Sequence, residues 1–178
     1  MTRFPEDQTT FSQMMKASVA TIATVREAGG NNIVSLSKAS HKALNRRSVV
    51  EKRLLLALDQ RNLDVYYQPL IDTASKKVIA MEALVRWPDV EIGTVTPDEL
   101  IPIAEATGLI SEIGMFMLEK ACLQAVDWHA QGHDLKVSIN SSIREFRGKN
   151  VAKTMLEIIE RTGCPTTSIH LEITEKFA

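Results

Sequence analysis

The sequence has no long apolar run, almost no net charge and only two cysteines, and each shortage excludes a class of protein. No stretch reaches the roughly 18 consecutive apolar residues that mark a membrane-spanning helix. The opening Met1-Thr2-Arg3-Phe4-Pro5-Glu6-Asp7-Gln8 lacks the apolar core of a secretory signal. A formal net charge of −1, from 21 basic and 22 acidic residues, gives no concentrated cationic footprint for a nucleic-acid polymer or an anionic membrane. The basic group at Arg46, Arg47, Lys52 and Arg53 is small. Cys122 and Cys164 are far apart and form no CxxC pair, so neither a zinc knuckle nor a disulfide framework is expected. Reduced thiols and an opening without an apolar core lead us to expect a cytoplasmic chain, one that a larger parent could still tether to a membrane. At 178 residues, 44% hydrophobic and 24% charged, the composition is that of a globular protein.

The chain is organised around Val78 to Trp87, V-I-A-M-E-A-L-V-R-W, a strand-like run that carries two ionised side chains. Alternation puts Val78, Ala80, Glu82, Leu84 and Arg86 on one face and Ile79, Met81, Ala83, Val85 and Trp87 on the other. A charge on a buried strand costs several kcal/mol unless it is paired or bound to a metal. Glu82 is therefore either a site residue or the partner of Arg86 in a structural ion pair.

In chain order, a helix is expected over residues 10 to 28, opened by a Thr10/Gln13 capping box and striped by Phe11, Met15, Val19, Ile22 and Val25. Gly29-Gly30 ends it, and residues 31 to 34 read as a short strand. Residues 35 to 49 read as a polar, basic linker with some helix, and Ser48 with Glu51 opens a helix running to about Gln60. Residues 64 to 71 alternate as a strand whose Pro69 points to an edge position, and the short polar link at 72 to 77 predicts an antiparallel hairpin with the next strand. A loop is expected after Trp87. Thr96-Pro97-Asp98-Glu99 then signals a helix start, and Gly108 its end. A further helix over 111 to 130, a strand over 135 to 140, a helix over 151 to 162 and a strand over 168 to 174 complete a βα alternation that predicts a parallel sheet.

Asn140 ends one of these strands and Glu172 lies on the next, sharing a face with His170 and Thr174. In a βα barrel the strand ends gather at one mouth, so Glu82, Asn140 and Glu172 can converge there. Carboxylate and amide oxygens suit the hard cations Mg²⁺ and Mn²⁺. Taken singly, Asn140 and Glu172 read equally as polar groups capping neighbouring loops. His129 and His133 have the spacing of some helical zinc pairs, but Gly132 between them marks a solvated helix end.

E-A-L-V-R-W at 82 to 87, Y-Q-P-L at 67 to 70, V-S-I-N-S-S at 137 to 142 and L-E-I-T-E at 171 to 175 together resemble the EAL domain family of cyclic-di-GMP phosphodiesterases, over about residues 50 to 178. F-P-E-D near the start, the helix after it and E-A-G-G-N-N-I-V resemble the last helix and strand of a GGDEF domain. The resemblance implies an α/β fold: an incomplete TIM-like barrel with an antiparallel first hairpin, preceded by a GGDEF remnant at 1 to 34 and the linker at 35 to 49.

By the same resemblance, Glu82, Asn140 and Glu172 match metal-ligating positions, Gln68 and Arg86 match positions that contact the dinucleotide, and Glu175 matches a glutamate that supports a neighbouring loop. The implied reaction is hydrolysis of cyclic-di-GMP to linear pGpG with two Mg²⁺ or Mn²⁺ ions. A complete βα barrel takes about 250 residues. The part of the family pattern with the paired aspartates and the catalytic lysine is absent, so no turnover is expected from this chain alone. A second copy, or the remainder of the barrel, is the expected partner. The alternative reading is a non-catalytic module that binds cyclic-di-GMP or another protein.

Overall fold

The computed structural model describes residues 10–12, 15, 18, 19, 22, 25, 26, 38–143, 145–147 and 150–174. The chain forms two compact units, Met1–Lys52 and Arg53–Ala178. In the first, the described positions from 11 to 26 are helical, as their periodicity predicts, and Phe11, Met15, Val19 and Ile22 of the stripe are exposed. Gln13, Gly29-Gly30 and the strand expected at 31 to 34 lie outside the described residues.

Where a linker and a separate helix are expected, one uninterrupted helix, α1, runs over Lys38–Asp59. Ser48 is thus an interior residue rather than a cap. The segment is rich in Ala, Leu, Lys and Arg and holds neither glycine nor proline, so nothing in it stops a helix.

The second unit is an open mixed sheet with helices packed on one face. Strands β1 (Asp64–Ile71), β2 (Val78–Asp89), β4 (Lys136–Ser142) and β5 (Ile169–Thr174) lie in the order β1-β2-β4-β5, with β3 (Gly93–Val95) pairing β2 separately. The hairpin is antiparallel, whereas β2 with β4 and β4 with β5 are parallel. Asp72 shapes the hairpin turn by accepting hydrogen bonds from the Ser75 backbone N–H and hydroxyl, both at 2.6 Å. Pro69 sits on an edge strand, as its missing N–H predicts.

β2 runs two residues past Trp87, and residues 93 to 95 form β3 where only a loop is expected. Asp89 makes this local extension possible. Its Oδ1 accepts the N–H groups of Glu91 and Ile92, at 2.8 and 3.1 Å, closing the reversal that carries Gly93 at φ +75°.

The crossovers are α2 (Pro97–Thr107), α3 (Ile110–Ala130) and α4 (Val151–Thr162). Thr96 has the extended backbone of an N-cap, yet its side chain makes no cap hydrogen bond, so the expected capping box is not completed from that end. Gly108 ends α2 at φ +79°, a conformation that favours glycine. Ile113, Met117, Ala121 and Ala125 are buried along α3 as its spacing predicts.

The core lies between these helices and the outer sheet face. Trp87, Leu54, Leu100, Leu118, Val137 and Ile139 are each under 2% exposed. On the edge strand, the Tyr67 ring meets Trp128 edge-on at 5.0 Å and its hydroxyl donates to the Lys120 carbonyl at 3.2 Å. Burial pushes that phenol up to about 12. Cys122 and Cys164 are free and buried. Burial, then the neighbouring Cys164, push the Cys122 thiol up to about 12, which suppresses its reactive thiolate.

Candidate functional site

Register brings the chemistry to one face. β1 sets Gln68 opposite Glu82 and Tyr66 opposite Leu84. β2 sets Glu82 beside Ser138, and β4 sets Ser138 beside His170 and Asn140 beside Glu172. Register partners share a face of the pleat, so Gln68, Glu82, Ser138, Asn140, His170 and Glu172 line the same side of the sheet. The opposite side carries Ala83, Val85, Trp87, Val137 and Ile139 into the core. Alternation thus fixes which residues meet helices and which line the concave inner face.

Within that face, Asn140 Nδ2 donates to Glu82 Oε1 at 2.6 Å, and the Ser138 hydroxyl donates to Glu172 Oε1. The ion pair between Glu82 and Arg86, open as an alternative in the sequence, is not formed among the described residues. Arg86 instead lies over Tyr66, its Cζ 5.7 Å from the ring centroid, and donates Nη1 to the Val85 carbonyl at 2.8 Å. Gln68 is exposed on the adjacent edge strand. Glu175 lies outside the described residues, and His129 and His133 are both exposed at the end of α3.

Two carboxylates and one amide therefore share a face. Among the described residues no group of three or more His, Cys, Asp or Glu is placed to hold a metal ion, so a cation at this face would need the Asn140 amide beside the two glutamates. All-oxygen donors of this kind fit Mg²⁺ or Mn²⁺ and do not suit a thiolate-seeking metal. The strands of Glu82 and Glu172 are separated by β4 alone, about 10 Å at ordinary strand spacing. Between them, the Ser138 hydroxyl and the Asn140 amide of β4 each donate to one of the two carboxylates.

Three supporting residues escape the sequence reading. Ser138 precedes Asn140 by two on the same face, and its hydroxyl meets Glu172 rather than merely opposing the apolar Val137 and Ile139. Tyr66 underlies the Arg86 guanidinium. Glu145, 3% exposed in the single helical turn Glu145–Arg147 after β4, accepts the Ser142 N–H on Oε1 at 2.7 Å. Burial raises its carboxyl above the usual range, against the lowering pull of the Ser142 N–H and with the Glu105 charge adding to the rise. Position in the alternating pattern exposes Ser138 and Tyr66 to inspection, but nothing local marks Glu145, which follows a strand and reaches back to it.

An open α/β sheet of this topology, with polar residues gathered on one face, corresponds to part of a TIM-like barrel. Residues 51–178 match the EAL domain family, and the chain belongs to that family. It is 31% identical over 176 residues to the biofilm architecture maintenance protein MbaA of Vibrio cholerae, covering 98% of this chain and 22% of MbaA. It is 28% identical over 176 residues to the bifunctional diguanylate cyclase/cyclic di-GMP phosphodiesterase MucR of Pseudomonas aeruginosa, covering 98% of this chain and 26% of MucR. The solved MucR phosphodiesterase in complex with c-di-GMP superposes with a TM-score of 0.67 at 33% identity, over 71% of this chain and 51% of that one. The chain thus spans about a fifth to a quarter of the length of these curated relatives, and half of the solved phosphodiesterase domain.

Proposed function

We propose that this chain supplies the first half of a cyclic-di-GMP site of the EAL type, built to bind the dinucleotide and, with the rest of a barrel, to hydrolyse one of its phosphodiesters to linear pGpG. The observation that supports it most is the inner-face assembly of Glu82, Asn140 and Glu172, in which the Asn140 amide bridges to Glu82 and stands in register with Glu172. Those three residues would hold Mg²⁺ or Mn²⁺. When bound, such ions polarise the phosphate and lower the pKa of a coordinated water. Arg86, held over Tyr66 on the same face, offers a guanidinium fork to a phosphate, and exposed Gln68 an amide to a guanine or ribose edge. The first 34 residues, on this reading, are the end of a GGDEF domain.

The test is calorimetric titration of the chain with cyclic-di-GMP in Mn²⁺, with product analysis for pGpG. We expect binding without turnover from these 178 residues alone. Arg86→Ala should weaken binding by about tenfold or more, the loss expected for a charge-assisted hydrogen bond. Glu82→Gln should remove the dependence of binding on metal. Unchanged affinity in both variants would sink the reading. Glu82-dependent release of pGpG would show that the chain is itself a phosphodiesterase. Saturable binding with no role for metal favours the non-catalytic alternative.

A further inference from the structure

We infer that Glu145 is a positioning residue: its buried carboxyl, wedged against Gly114 of α3, sets the C-terminal end of β4 and so holds Asn140 against Glu82. The inference rests on the site proposed above and names a residue that acts on it from behind. The chain leaves β4 at Ser142, turns, and within three residues sends a glutamate back into the protein. There Oε1 accepts the Ser142 backbone N–H at 2.7 Å, closing a loop on the strand end two residues from Asn140. The other oxygen, Oε2, is buried with no hydrogen-bond partner among the described residues.

Gly114 makes room for it. A Cβ at that position would run into Oε2 and approach the carboxyl carbon to 2.9 Å. Glycine is unfavourable inside a helix relative to alanine, and here its vacant side is filled by the Glu145 carboxyl. The same strand end has two more tethers. Ser142 Oγ donates to Glu105 Oε1 of α2 at 2.7 Å, and the Ser111 hydroxyl of α3 donates to the Glu145 carbonyl at 3.4 Å. A cavity of about 200 Å³ touches Asn140, Glu145 and Gly114 together, with Ala83, Val85 and Ile113 among its apolar walls. The strand end therefore has room to shift unless the carboxyl fixes it.

The geometry asks for an acceptor on Oε1 and for bulk against Gly114, and a neutral group meets both needs. The test uses the full chain and reads two independent signals: the side-chain amide resonance of Asn140 by NMR, and Mn²⁺ affinity by calorimetry. Glu145→Gln should leave the Asn140 amide signal in place and Mn²⁺ affinity within about twofold. Glu145→Ala should shift that signal toward the position it takes in Glu82→Gln, and weaken Mn²⁺ about tenfold. Gly114→Ala, which displaces the carboxyl without deleting it, should do the same, and supplies the perturbation should Glu145→Ala not fold. An unmoved Asn140 amide in the folded alanine variants overturns the inference, as does a glutamine variant that behaves like alanine. Absence of Mn²⁺ binding in the unsubstituted chain counts against the proposed site instead, while the amide signal still decides the role of Glu145.

Discussion

At the residue scale, two buried carboxyls of opposite character give opposite pH dependences. Burial raises the Glu145 carboxyl, outweighing the Ser142 N–H. The fold therefore holds a proton there more tightly than the unfolded chain does. Its contribution is full below the unfolded pKa and is lost as pH rises through the folded value. Asp89 behaves the other way: burial acts to raise it, but the Arg53 hydrogen bond and the N–H groups of Ile92 and Glu91 hold it below the usual carboxylate range. Its contribution is present above the unfolded pKa and is lost as pH falls through the folded one. Glu145→Gln should therefore flatten the decline of the thermal midpoint on the side above glutamate's ordinary pKa. Asp89→Asn should lower the midpoint at neutral pH and flatten its acid limb. Scanning calorimetry across pH separates the two, and a Gln variant with the unsubstituted slope would refute the assignment for Glu145. Trp87→Ala, at a side chain with no exposure, should cost about 3 to 5 kcal/mol in urea unfolding.

At the element scale, the two ends of α2 illustrate what a motif guarantees. Thr96-Pro97-Asp98-Glu99 predicts the start to the residue, because proline at the first helical position needs no N–H partner and fixes φ. The threonine hydroxyl nevertheless makes no cap bond, so Thr96→Ala should cost less than about 0.5 kcal/mol, below the usual loss for a cap. Gly108, at φ +79°, should cost about 1 kcal/mol when replaced by alanine. Denaturant unfolding of the two variants compares them directly, and a larger loss at Thr96 would contradict the structure. The continuous α1 shows the converse: Ser48 with Glu51 matches a capping box, yet helix formers on both sides carry the helix through it. A cap motif starts a helix only where the preceding residues do not already form one.

At the scale of the whole molecule, the sheet has β1 and β5 at its ends among the described residues. Leu171 and Ile173 of β5 are 40% and 54% exposed. A strand that presents unpaired backbone groups and apolar side chains is a template for another chain. The 178-residue chain should therefore self-associate with rising concentration in sedimentation velocity, and Ile173→Lys should shift it toward monomer. A monomer at every concentration would count against this. No helix among the described residues is long and apolar enough to cross a membrane.

Local physics alone determined most of the framework: the period-two runs at 64 to 71 and 78 to 87, the proline-marked start of α2 and the helix over 151 to 162 lie where their residues predict, and the strand expected at 168 to 174 begins one residue later. Alternation also placed Glu82 and Arg86 on one face, and Asn140 and Glu172 on their strands. Only tertiary structure decided what those side chains meet. Pairing register joined Glu82 to Asn140 rather than to Arg86, and Tyr66, on a different strand, took the guanidinium. The short β3 formed because Asp89 closed a turn on backbone N–H groups and bound Arg53 from a helix 36 residues earlier. Glu145 met Gly114 across 31 positions of chain, a contact that no periodicity encodes because it depends on how strand and helix pack rather than on what lies beside either residue.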